Sequence, residues 1–400
     1  MFAEILLKAK AMQEQLMQYR RYLHAHAEVG FELPKTVAYV TETLQQLGYT
    51  PRKVGRSGIV ASVGQGKTVA MLRADMDALP VIEESGLDFA CQNGNAHVCG
   101  HDMHTAMLLG AAALLKQYET SLTGSVLLMF QPAEEPLAGA TDMIENGLLD
   151  NFSPQSAMMI HVMNMNGIQP GCVIVPPAGV SAPAADMFEI HIQGKGCHGA
   201  MPHNGVDPIN VGAHLVLALQ AISTREQGIN DAHALTIAAF QAGEATNVMP
   251  DEALLKGSVR SFDLKNQQFL KKRIEEIAEM TARTYRATAQ VHWLSGCPTL
   301  VNHPELVRQA CDKLPQLIGR ERVLTAEQLS GGNARSVGSE DFSYISQRVP
   351  SLMLAMAAGG VSDLPLHHPR IIFNEEALPY GAAVYAAFAI AQLEAPSEGK

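Results

Sequence analysis

Four apolar runs constrain this chain more than any other feature: GIVASV, TVAMLRADMD, SVLLMFQP and AMMIHV. They are nearly continuous rather than alternating, the pattern of strands covered on both faces. Helical stretches lie between some of them, notably TAMLLGAAALLKQY. Strands of this kind interleaved with helices predict an α/β layer around a largely buried, mixed central sheet. Ahead of them, Ile5, Leu6, Ala9, Met12 and Leu16 recur at helical spacing, so an amphipathic helix opens the chain. A second helix runs from about Lys35 to Leu47, with Gly48 as its stop.

The pattern changes near Pro183. DMFEIHIQGKG alternates strictly, with Phe188, Ile190 and Ile192 on one face, as in a half-exposed strand. A helix (about 208–224), two strands (235–241 and 253–262), a helix (266–285) and a strand (287–294) follow. This β-α-β-β-α-β order is that of a ferredoxin-like unit. The chain then returns to α/β character, with a strand at SLMLAMAA and a C-terminal helix. The expected organisation is a discontinuous catalytic domain, 1–185 and 296–400, interrupted by an inserted domain at 186–295.

Composition narrows the function classes. The 400 residues carry 29 Lys+Arg against 40 Asp+Glu, a formal net charge of −11. That balance argues against nucleic acid or an anionic membrane as the main partner, since both reward a basic face. The longest apolar stretch, ALPYGAAVYAAFAIAQL, falls short of the roughly 20 residues of a membrane span and reads as a buried helix. The opening residues lack the apolar core and cleavage site of a signal peptide. Six scattered cysteines without a CxxC pair do not resemble a disulfide framework, so a cytoplasmic, reducing location is expected.

The chemistry concentrates at strand ends. In HVCGHDMH, Cys99 and His101 flank one glycine, and in an extended segment both side chains turn to one side. A thiolate with an imidazole suits Zn, Mn, Co or Ni. Upstream, Asp75 and Asp77 close an apolar strand, where carboxylates are costly unless they are paired or orient a ligand. In QPAEE, Glu134 and Glu135 are adjacent, so in an extended segment they point to opposite sides. One can bind metal while the other acts as general base. His161 ends AMMIH, and the pair His367-His368 follows a glycine-rich turn. These elements converge on one edge of a sheet, where open α/β sheets place ligands. Cys99, His101, Glu135, His161 and one of His367 or His368 make five ligands, too many for one catalytic metal with an open position and suited to two.

RADMDALP, HVCGHDMH, QPAEE, HGAMPH, NVMPD, GSVRSF, GSEDFS and LHHP occur in the order seen in a family of metal-dependent amidohydrolases, and the resemblance covers nearly the whole chain. That family contains bacterial hippurate hydrolases, N-acyl-amino-acid amidohydrolases and plant auxin-conjugate hydrolases. It is related to aminoacylases and metallo-carboxypeptidases. The resemblance implies two divalent metal ions (Zn, Mn, Ni or Co), with Cys99 as bridging thiolate. It implies His101, Glu135, His161 and His367 as terminal ligands, with the invariant slot of the last motif on His367. Glu134 resembles the general base. Asp77 resembles an aspartate that orients a ligand, and Asp75 stands where related branches have a ligand histidine. In the inserted domain, His198 resembles a residue that reaches a neighbouring subunit's site to stabilise an oxyanion. Asn247 and Arg260 resemble residues that hold the substrate's backbone and carboxylate.

Two positions depart from the family pattern: Met103 where Gly or Ala is common, and Asn164 where Pro is common. The implied activity is hydrolysis of an N-acyl-L-amino acid by a homodimer or higher homo-oligomer whose inserted domain serves as lid and dimer contact. A dipeptidase or carboxypeptidase, and an inactive metal-bound binding protein, are the alternatives on the same scaffold.

Overall fold

A computed structural model describes residues 2–330, 335–362 and 364–394. Two compact units emerge. One is Ala182–Leu300 with Ser336–Ser339, and the rest of the chain forms the other. The inserted unit therefore begins four residues earlier and ends five later than the strand pattern suggested, because Ala184–Gln193 and Thr288–Cys297 extend beyond their alternating cores.

The larger unit is built on eight strands among the described residues. In spatial order they are Arg52–Val54, Gly58–Gly64, Ser125–Gln131, Thr68–Asp75, Ala157–Met163, Ser351–Ala357, Val173–Val175 and Val323–Thr325. The four in the middle, from Ser125–Gln131 to Ser351–Ala357, run parallel to one another. Antiparallel pairs lie on both sides of them, which makes the sheet mixed. These central strands are nearly all buried, as unalternating apolar runs require. Helix His101–Lys116 lies against the sheet and is itself buried along almost its whole length. It packs on Leu378–Glu394, the small-residue apolar segment near the C-terminus. Among the described residues no helix is long and apolar enough to cross a membrane.

The opening periodic stretch forms two helices rather than one, Phe2–Ala11 and Gln13–Ala25. The chain leaves helical geometry at Met12, where ψ is 6°. The first helix packs against Leu378–Glu394 and Pro304–Ile318, the second against His101–Lys116.

The inserted unit is a four-stranded antiparallel sheet ordered His233–Gln241, Glu252–Ser261, Ala184–Gln193, Thr288–Cys297. Helices Pro208–Ala221 and Leu264–Thr284 cover one face, around Phe188, Ile190, Ile192, Leu215, Leu255 and Ile274. Aspartates start both helices: Asp207 accepts from the Ile209 and Asn210 amides, and Asp263 from that of Asn266. This is the ferredoxin-like arrangement.

Candidate metal centre

The polar residues of the larger unit gather where its parallel strands end. Thr68–Asp75 leads to Asp77, Ser125–Gln131 to Glu134 and Glu135, Ala157–Met163 carries His161, and Ser351–Ala357 leads to His367. Cys99 and His101 join them from the start of helix His101–Lys116. They do so through a turn, not the extended segment expected: Gly100 is left-handed (φ 85°), and His101 is the first helical residue. A Cβ at Gly100 would lie 2.3 Å from Val162 Cγ2, so backbone conformation and close approach both select glycine here. The Glu pair also departs from the extended expectation. Ala133 has a φ of 52° and a turn begins at Glu134. Both carboxylates therefore face the same imidazole, with His101 Nε2 3.9 Å from Glu134 and 4.0 Å from Glu135.

Two triads share one sulfur. Cys99, His101 and His161 place their ligand atoms within 4.8 Å of one another, and so do Cys99, Glu135 and His367. His367 Nε2 lies 3.3 Å from Cys99 Sγ and 3.6 Å from Glu135 Oε1. The His368 ring instead accepts from the Arg370 amide, so it is His367 that the structure brings to the cluster. The imidazoles are held from behind. His101 Nδ1 donates to the Asp77 carbonyl and His161 Nδ1 to the Val162 carbonyl, leaving each Nε2 turned inward. The Asp77 carboxylate accepts from the amides of Glu134 and Glu135 and so fixes the turn that carries them.

The donor set fits divalent metal. His101 Nε2 and Glu135 Oε1 are buried without a hydrogen-bond partner in the protein, a costly state that a cation relieves. Thiolate, imidazole and carboxylate together suit a borderline transition ion. Burial pushes the Cys99 thiol up to about 12, and burial, then the neighbouring His104, lowers His161 to about 3. Glu134 is raised well above the usual carboxylate range by burial and then by Glu340 and Asp341. Burial also raises Glu135.

A second layer escaped the sequence reading. Arg73, fully buried in its strand, donates to Asp75 (2.7 Å), Glu340 (2.8 Å), Asp341 (2.9 Å) and Gln131 (3.0 Å). Asp75 accepts in turn from His104 Nδ1 (2.6 Å), and His104 Nε2 accepts from the Val162 amide. Asp75 is thus paired with Arg73 and His104, and its Oδ2 stays 3.8 Å from His101 Nε2. The one signal for this layer was a charge inside an apolar strand run.

The remaining candidates belong to the inserted unit. Short strands Cys197–His198 and Val248–Met249 pair, and the Gly199 amide donates to the Asn247 carbonyl, which puts His198 and Asn247 side by side and exposed. Arg260 lies on the uncovered sheet face and donates to Ser339 Oγ at 2.7 Å.

Residues 71–391 match the peptidase family M20/M25/M40. The chain belongs to this family. Among M20 relatives, it is 36% identical to an N-acetyl-L-cysteine deacetylase of Bacillus subtilis, over 92% of this chain and 85% of that one. It is 33% identical to the IAA-amino acid hydrolase ILR1-like 2 of Arabidopsis thaliana, over 97% and 87%. A dinuclear metal-binding M20 peptidase from Bacillus subtilis superposes with a TM-score of 0.78 at 30% identity, covering 96% of this chain and 99% of that one. A putative aminohydrolase from Staphylococcus aureus superposes with a TM-score of 0.86, also at 30% identity, covering 98% and 99%. As an M20 member the chain is a metal-dependent hydrolase of amide bonds.

Proposed function

We propose that this enzyme hydrolyses N-acyl-L-amino acids to a carboxylate and a free amino acid, using two divalent metal ions held by Cys99, His101, Glu135, His161 and His367. One observation carries the reading: Glu134, buried beside the ligand cluster, lies outside both cysteine triads and groups instead with His101 and Glu135 and with Glu340 and Asp341. A site that only bound metal would gain nothing from that carboxylate. Metal in such a site supplies Lewis acidity, which eases deprotonation of water and polarises an amide carbonyl.

The protein's own groups do the rest. Glu134 takes the proton of the attacking water and returns it to the leaving amine nitrogen, a role suited to a carboxylate whose proton affinity is raised by burial and by Glu340 and Asp341. Asp77 holds the Glu134 amide, and with it the position of the base. His198 donates to the developing oxyanion. Asn247 holds the substrate backbone, and Arg260 forks onto its free carboxylate. The names of the deacetylase and auxin-conjugate relatives support an acyl amino acid as substrate.

A substrate panel tests this. N-acetyl and N-benzoyl amino acids should be cleaved with higher kcat/KM than the same compounds carrying a carboxamide in place of the carboxylate. Arg260→Met should raise KM for the acids and leave the carboxamides unchanged. Equal turnover of acids and carboxamides, or faster turnover of unblocked dipeptides, rejects the assignment.

A further inference from the structure

His367 differs from the other ligand candidates in how it is held. Cys99, His101, Glu135 and His161 sit on or beside regular elements and are largely buried, whereas the His367 side chain is 53% exposed. It lies on the loop after strand Ser351–Ala357 with a φ of 67°, a left-handed conformation that a non-glycine residue holds only when its surroundings impose it. The loop's backbone therefore has to be fixed from elsewhere.

Asn164 provides that fixing. Three residues beyond His161, its Nδ2 donates to the carbonyls of Ser362 (2.7 Å) and Leu364 (2.6 Å). Facing two carbonyl oxygens, the amide must present its nitrogen. A longer bond from Nδ2 reaches Ser362 Oγ (3.5 Å), and the Asn164 Oδ1 is buried and unpartnered, so the side chain is committed to this loop through Nδ2. The base of the loop is built around it. The Ala358 amide donates to the Met163 carbonyl, and Gly359 passes so close that a Cβ there would meet Asn164 Oδ1 at 2.5 Å and the Met165 amide nitrogen at 2.6 Å. At the far end the His367 amide donates to the Val98 carbonyl, beside Cys99. The loop is thus pinned to the segments that carry His161 and Cys99. A proline at position 164, common in the family, has no side-chain donor and cannot make these bonds.

Resting on the reading of His161 and His367 as ligands, we propose that Asn164 is a positioning residue: it clips the His367 loop to the His161 strand and preorganises the Cys99–Glu135–His367 half of the metal centre. Residues that orient a ligand typically change metal affinity about 10–100-fold when lost.

The experiment is zinc titration of the metal-stripped full-length chain in competition with a chromophoric chelator, together with thermal melting. Wild type should bind two equivalents. Asn164→Ala should keep one at wild-type affinity and weaken the other about 10–100-fold. Asn164→Asp should do worse, because an oxygen would then face two carbonyl oxygens. Ser362→Ala keeps the accepting carbonyl but removes an Oγ that accepts from Asn164 Nδ2 (3.5 Å) and the Ile372 amide (3.2 Å), so it should weaken binding less than Asn164→Ala does. Excess zinc should restore kcat in Asn164→Ala with KM unchanged.

Wild-type zinc affinity in both Asn164 variants would overturn the inference. So would an Asn164→Ala melting temperature lowered as much without metal as with it, since the residue would then serve the fold and not the centre. His367→Ala separates this from the underlying assignment. If it retains both equivalents at wild-type affinity, the ligand reading fails; if it loses one while Asn164→Ala does not, only the clip fails.

Discussion

Glu134 and Glu135 are neighbours in the chain and differ in what each can do. Glu135 belongs to a triad with Cys99 and His367, whereas Glu134 faces His101 from one side and Glu340 and Asp341 from the other. Glu134→Gln keeps the shape and removes the base, so it should bind metal as wild type does while kcat falls about 10²–10⁴-fold. Metal content and turnover measured on the same sample check this, and a parallel loss of metal would make Glu134 a ligand instead. At this scale the sequence showed the residues that end apolar strands, because a polar group there needs a reason. It could not show Arg73, His104, Glu340 and Asp341 as one system. Arg73 is more than 260 residues from two of its carboxylate partners, and no local pattern encodes that contact. Separations of 198 and 200 residues likewise hid the role of Asn164, a bare departure from proline until its carbonyl partners are in place.

Helices Gln13–Ala25 and His101–Lys116 are joined by a buried charge cluster that holds the end carrying His101. Arg20 Nε donates to Asp102 at 2.9 Å, and His24 donates from Nδ1 to Asp102 at 2.8 Å and from Nε2 to Glu83 at 2.9 Å. Burial lowers the His24 pKa, but Asp102 and Glu83 outweigh it and the net shift is upward. A raised histidine pKa stabilises the fold fully below the unfolded value, about 6.5, and that contribution is lost as pH rises through the folded value. His24→Gln should therefore destabilise by about 1.5–3 kcal/mol at pH 6, with the gap to wild type narrowing toward pH 9. Urea unfolding of both proteins across that range measures it, and a gap that widens with pH would mean His24 is neutral in the native state. Elements with long, strong periodicity were legible, including the four long strands of the inserted unit, though not its two-residue strands Cys197–His198 and Val248–Met249. Helix Pro304–Ile318 was not, because Pro315 sits inside it, and the three-residue strands Val173–Val175 and Val323–Thr325 are too short to display a period.

At the scale of the whole molecule, the four-stranded sheet of the inserted unit ends in two edge strands, His233–Gln241 and Thr288–Cys297. Strand His233–Gln241, HALTIAAFQ, pairs on one side only, with Glu252–Ser261. Like Thr288–Cys297 it contains no Asp, Glu, Lys or Arg and no proline, and its one guard of a free edge is a bulge between Ile237 and Ala239. Phe240 on this strand is 40% exposed, and its ring lies against Gly212 of helix Pro208–Ala221, which exposes Ile209 and Leu217. A long, uncharged edge beside exposed apolar side chains is suited to a second copy of the same strand, since a twofold pairing is self-complementary and closes. This supports the reading of the enzyme as a homodimer in which His198 serves the neighbouring subunit's centre. Mixing two inactive variants tests both halves of that reading. In a heterodimer of Glu134→Gln with His198→Ala, one site combines an intact Glu134 with an intact His198 from the other chain, while its twin lacks both. Under random exchange half the molecules are heterodimers with one of two sites restored, so activity should return to about a quarter of wild type. Placing a lysine at Ala238, on the exposed edge strand, should abolish the recovery by blocking pairing. If labelled subunits exchange and no activity returns, His198 acts within its own chain or takes no part in the reaction. If the Ala238→Lys chains still recover activity, the dimer forms through another surface.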